Sequence, residues 1–130
     1  MSALSDYAEK LVLDWLMTTG AATRPSAWYL ALFTAAPSDS GGGTEVSGAG
    51  YTRKTVNFNA ASSPGGTTSN SAIVAWTAAG GDYGMVTHVG IFDASSAGNL
   101  LWQGALSASK NVTDGDTIQF SAGNLTLTLA

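Results

Sequence analysis

The chain has no cysteine among its 130 residues, which removes disulfides, thiolate nucleophiles and cysteine-ligated metals and leaves stability to packing and to partners. Charge is also scarce, with 11% charged residues and a formal net charge of −4. Its five basic residues, Lys10, Arg24, Arg53, Lys54 and Lys110, are scattered. They form no stripe to neutralise phosphates, so nucleic acid is not an expected partner. Only one histidine is present, His88, too few for a histidine-based zinc site. No apolar run approaches the ~20 residues that span a bilayer, so no membrane partner is expected either. The start, MSALSDYAEKLVLDW, has no basic leader followed by an apolar stretch and a cleavage site. Synthesis in a cytoplasm without secretion is the expectation.

What is abundant is glycine, at 16 residues, together with Ser, Thr and Asn between short apolar runs. After Thr23 the chain reads as roughly seven strands separated by turn clusters, the pattern of an all-β antiparallel sandwich or barrel of about seven to eight strands. The expected organisation is a single domain over 1–130, with an N-terminal helical part at 1–20 and a β-sandwich at 27–130. Size scaling gives such a domain a radius of gyration of about 14 Å.

Leu4, Ala8, Leu11, Val12, Trp15 and Leu16 recur at helical spacing, predicting an amphipathic helix from about residue 3 to 18. Ser2 or Ser5 suits its N-cap, Asp6 and Glu9 suit its positive end, and Gly20 suits a left-handed C-terminal residue. Such a helix either caps an open end of the sandwich or lies across a neighbouring subunit.

Strands are expected over Trp28 to Thr34, covered on both faces, then Tyr51 to Phe58, Ala72 to Thr77, Met85 to Phe92 and Asn99 to Leu106. The last two, Thr117 to Phe120 and Leu125 to Leu129, read as a tight hairpin across Ser121 to Asn124. Leu125, Leu127 and Leu129 alternate with polar positions, which suits a strand towards a sheet edge.

The loop from about Ala35 to Gly50 is long enough to be functional or ordered by a partner. Asp39, Gly41, Gly42, Gly43, Thr44 and Glu45 are its expected partner-contact residues. The glycine run has no lysine at the spacing of a phosphate-binding loop. Tyr51 and Tyr83, beside glycine-rich turns, are the expected exposed aromatics and so the best candidates for stacking on a sugar. His88 with Asp93 and a serine could be counted as a triad, but there is no nucleophile elbow, and a hydrogen-bonded sheet histidine is the plainer reading. Asp114-Gly-Asp116 reads as a strand-connecting turn rather than a calcium loop. No catalytic residue, cofactor or metal is expected.

Four strings, MSALSDYAEKLVLDWL, WYLALFTAAPSDSGGGTEVSGAGYTRKTVNF, VTHVGIFDASSAGNLLWQGAL and VTDGDTIQFSAGNLTLTL, resemble a family of small tailed-bacteriophage and prophage proteins commonly labelled tail fibre proteins. The likeness covers nearly the whole chain and is most specific in LFTAAPSD, GTEVSG and THVGIFD. It implies a non-enzymatic structural virion protein made in the cytoplasm of a bacterial host. One domain of this size spans only about 40 Å, so a lone copy cannot be a long fibre. A multi-copy module outside the particle fits, either as head decoration or cement or associated with the tail or fibre. Its expected partners are itself, as a symmetric homo-oligomer such as a trimer, and other virion proteins such as major capsid or tail proteins. The alternative is an adhesion module of the tail that binds host-surface carbohydrate through Tyr51, Tyr83 and the Asp39 to Thr44 loop.

Overall fold

The computed structural model describes residues 2–129. Its one helix, α1 (Asp6–Met17), starts where Ser5 turns the chain. Ser5 is extended, its hydroxyl accepts from Ala8 N at 3.1 Å and donates to the Leu100 carbonyl, and its own amide donates to Leu101 O at 2.8 Å. This serine therefore caps the helix and welds it to the sheet. The predicted start at residue 3 is corrected: β1 (Ser2–Leu4) is a strand that pairs with Gly104, Gln103 and Trp102. Local helical spacing at Leu4 loses to an open sheet edge that can use its backbone groups.

The helix ends at Thr18, whose hydroxyl donates to Asp14 O and accepts from Gly20 N, each at 3.0 Å. Gly20 has no positive φ. The left-handed C-terminal residue expected there is replaced by a threonine side chain that satisfies the Asp14 carbonyl in the last turn.

Ten strands follow the chain: β1, β2 (Tyr29–Ala35), β3 (Thr44–Glu45), β4 (Lys54–Thr55), β5 (Thr67–Ser69), β6 (Val74–Thr77), β7 (Gly84–Phe92), β8 (Leu100–Val112), β9 (Thr117–Phe120) and β10 (Thr126–Thr128). All pairings are antiparallel. A six-stranded sheet runs β1-β8-β7-β2-β3, with β4 also on β2, and two ribbons, β6-β9 and β10-β5, complete the β structure. The fold is an all-β sandwich with an N-terminal helix, as the turn-punctuated pattern predicts. β1, β3 and β5 are the strands the pattern does not predict, and each has only two or three residues.

β2 is central and covered on both faces, with Leu30, Ala31, Leu32 and Phe33 all buried. Each large apolar side chain buried this way contributes about 1.5–3 kcal/mol. In β6, Val74 and Trp76 are buried while Ala75 and Thr77 are exposed. That alternation lays one face of the β6-β9 ribbon, with Ile118, into the core shared with Leu30, Leu32, Val86 and Leu101. Trp76 satisfies its indole N–H on Thr52 O at 2.7 Å and meets Phe120 edge-on.

The expected hairpin between the last two strands does not form, because β9 pairs with β6 and β10 with β5. Asn70 explains the crossing. It is fully buried, its amide group donates to Ala72 O and Ser121 O at 2.9 and 3.0 Å, and its side-chain oxygen accepts from Leu125 N at 2.9 Å. Its backbone N–H donates to Leu125 O and its carbonyl accepts from Gly123 N. The Ser121 to Asn124 connection thus wraps one asparagine and hands the chain from one ribbon to the other.

Candidate functional site

The loop between β2 and β3 was the main sequence candidate, and the fold sets it against the start of α1. Ser38 and Gly41 exchange backbone hydrogen bonds of 2.8 and 2.9 Å, closing a small turn that Ser38 Oγ reinforces on Gly41 O. Asp39 O accepts from Asp6 N at 2.9 Å, satisfying a helix N-terminal amide that has no partner within the helix. Asp39 Oδ1 accepts from Gln103 Nε2 at 3.1 Å. The loop is therefore anchored at two points. Gly43 is required by sterics: its φ is +76°, and a Cβ there would lie 2.7 Å from Pro37 N and 2.8 Å from Ala35 O.

The loop rims an open cleft of about 610 Å³. Asp39, Gly41, Gly42, Gly43 and Glu45 line it, as do Asp6, Tyr7, Arg53, Phe92 and Asn99. Thr44 does not line it. That residue pairs with Ala35 in the sheet, where its carbonyl accepts from Thr34 Oγ1.

At the base lies a charge network that sequence reasoning missed. Arg53 Nε and one of its terminal nitrogens donate to the two oxygens of Glu45 at 2.9 Å each. The other terminal nitrogen donates to Ala94 O and Ala97 O at 3.0 and 2.8 Å, and the guanidinium carbon stands 3.7 Å from the Phe92 ring centroid. The Arg53 side chain is 8% exposed. This forked, stacked geometry suits arginine and no other cation. Burial alone would raise the Glu45 pKa, but hydrogen bonds from Arg53 and Tyr51 and the Arg53 charge outweigh it and hold the carboxyl below its ordinary value. Glu45, expected as a partner contact, spends its oxygens inside its own chain. The apolar Val46 directly after it, buried in the fold, is the available signal, and its partner Arg53 lies eight residues on in the segment expected as the next strand.

Tyr51 and Tyr83 correct the expectation of exposed aromatics. Tyr83 is 6% exposed and Tyr51 half-buried, and their rings meet edge-to-face at 5.7 Å. Tyr51 Oη donates to Glu45 Oε2 at 2.7 Å and accepts from Leu32 N at 3.1 Å. Burial, then the Glu45 bond, pushes its phenol pKa well up. Beside them, Gly50 takes φ +75° in the turn before Tyr51, and Gly84 takes φ +90° where it opens β7 after Tyr83. Tyr7, 42% exposed at the cleft, is the aromatic with an open face there.

The residues of a countable triad are not brought together. His88 sits in β7 opposite Phe33, with Nδ1 2.8 Å from Thr87 Oγ1, while Asp93 accepts from Asn99 N and Nδ2 at 2.7 and 3.0 Å. Asp116 accepts from Thr113 N and Oγ1 at 3.0 and 2.7 Å, and Asp114 accepts from Gly80 N at 3.1 Å. These carboxylates build the turn, and the Thr113 hydroxyl and amide lower the Asp116 pKa. Among the described residues no cluster of His, Asp or Glu is placed to hold a metal, and no helix is long and apolar enough to cross a membrane.

Residues 3–128 match the family model described as podophage GP4 fiber I protein gp80. The chain belongs to that family. No curated protein matches it.

Proposed function

We propose that the chain is a non-enzymatic structural module on the outside of a tailed-phage particle, present in many copies and acting through protein–protein contacts. Membership of a phage fiber family over residues 3–128 supports a structural virion component. The observation that carries the reading further is the surface. Leu13, Trp15, Leu16 and Met17 are 58, 72, 63 and 71% exposed on one helix end, an apolar concentration that a free-standing soluble domain rarely presents. One small module does not reach a host by itself, so it contributes to the fibre, tail or shell by repetition. Its partners are further copies and other virion proteins such as capsid or tail proteins.

Peptide quantification on density-purified virions tests this. Several copies per particle are expected, and absence from purified particles overturns it. For the carbohydrate alternative Tyr83 is buried and Tyr51 half-buried, and its remaining support is the cleft with Tyr7 at its edge.

A further inference from the structure

Ala8 and Trp15 lie seven residues apart, almost two helical turns, on one stripe of α1. Ala8 is 5% exposed and Trp15 72%. The stripe is continuous but its support is not, so the helix overhangs the sheet. From residue 11 to residue 17 every position is apolar except Asp14, which is held by Lys10. A helix apolar nearly all round belongs to an interior.

The same chain carries a groove of about 1050 Å³ between the main sheet and the strands β9 and β10. Trp102, Leu106, Phe120, Leu125 and Leu127 line it, each only partly buried against the core. The groove is open because β8 splays. Four residues of β8, Leu106 to Ser109, stand opposite the single residue Thr87 of β7, and among the described residues β1 pairs with β8 as far as Gly104. No residue of α1 lines this groove.

We infer that the apolar end of α1 from one copy seats in this groove of a second copy. Two properties support a copy of this chain as the occupant. Charge is compatible: among the described residues Lys110 is the groove's only charged lining residue and donates to Thr117 O, while the seated end of α1 carries Asp14 alone, paired with Lys10. Area is in range: Trp15 alone can bury about 150–250 Å², and with Leu13, Leu16 and Met17 around the same helix end the contact is on the order of 1,000 Å² across both partners, the lower bound for a specific interface. Helix and groove are different surfaces, so the contact is head-to-tail and builds a ring or a file of copies. The inference rests on the multi-copy reading and names the surfaces that would carry it.

The test is the mass of the purified full chain by light scattering, with Trp15→Glu on the helix and Leu106→Glu in the groove. Wild type is expected to self-associate, and each variant to weaken association at least about 30-fold, with unchanged far-UV circular dichroism. Mixing the two variants is expected to restore one heterodimer, because a Trp15→Glu copy keeps its groove and a Leu106→Glu copy keeps its helix. If Leu106→Glu proves unfolded, Lys110→Glu in the groove rim replaces it. Association lost with Trp15→Glu but untouched by the groove variants would mean helix-to-helix pairing and overturn the inference. Wild type that stays monomeric at about 100 μM would also overturn it, meaning that another virion protein covers the helix. Both results leave the virion reading standing if copies are still found in particles.

Discussion

Glu45 and Arg53 face each other through two hydrogen bonds of 2.9 Å, with the arginine stacked on Phe92 and tied to Ala94 and Ala97. One arginine thereby fixes strand β3, the start of β4 and the turn after β7. Glu45→Gln keeps the shape and removes the charge, leaving a nearly buried cation short of its partner. A loss of about 2–3 kcal/mol in urea unfolding is expected. Arg53→Lys is expected to lose about 2 kcal/mol, since a point charge cannot reproduce the fork or the stack.

The same pair gives a signed pH dependence. The Glu45 carboxyl is held below its ordinary value near 4.5 in the folded chain. Its stabilisation is therefore complete above the unfolded value and fades as pH falls through the lowered folded one. Unfolding midpoints measured from pH 7 downward should fall in wild type below about pH 5. In Glu45→Gln the part of that slope due to Glu45 should be missing, and an identical acid slope in both proteins would contradict the assignment.

Asn70 is the second point of leverage. Asn70→Ala removes the partners of the Ala72 carbonyl and the Leu125 amide and one of the two donors to the Ser121 carbonyl, which keeps Asn124 N, with an expected loss of about 2 kcal/mol. Asn70→Asp should be no better, because it aims an anion at two carbonyls. Hydrogen exchange should show the amides of Gly123 and Leu125 losing protection first.

Two adjacent loop glycines separate strain from collision. Gly42 has φ of +81° with nothing within 4 Å of a would-be Cβ, whereas Gly43 would drive a Cβ into backbone. Gly42→Ala is expected to lose about 1 kcal/mol and Gly43→Ala roughly twice that or more, read as thermal midpoints. Equal effects would mean that the loop is not anchored as described.

Buried tyrosines answer to stability rather than to sugars. Tyr83→Ala is expected to lose about 3–4 kcal/mol through the cavity it leaves. Glycan-array binding by wild type that disappeared in a still-folded Tyr83→Phe variant would contradict this placement.

The sequence made the layered β architecture legible because its strands alternate and its turns carry glycine. Trp28 to Thr34 reads as a central strand, and β2 is buried on both faces. What it hid were contacts between distant segments. Ser121 to Asn124 has hairpin composition, yet a buried asparagine some fifty residues away redirects it. The polar run from Ser107 to Asn111 conceals the second half of β8, because an exposed strand has no apolar alternation to show. At the site, the composition of the loop is legible in the sequence but its bonding is not. A glycine run signals positive φ and says nothing about the Asp39 to Asp6 bond that anchors it. Aromatic residues beside glycines looked exposed because turn composition and exposure usually coincide, and here the two rings pack against each other.

The most direct test is a cryo-EM map of purified particles bound by a chain-specific antibody fragment. Repeated density at one external location is expected, with the apolar end of α1 covered by protein. Particles carrying no such density, with the chain found only as a free monomer in the infected cell, would contradict it.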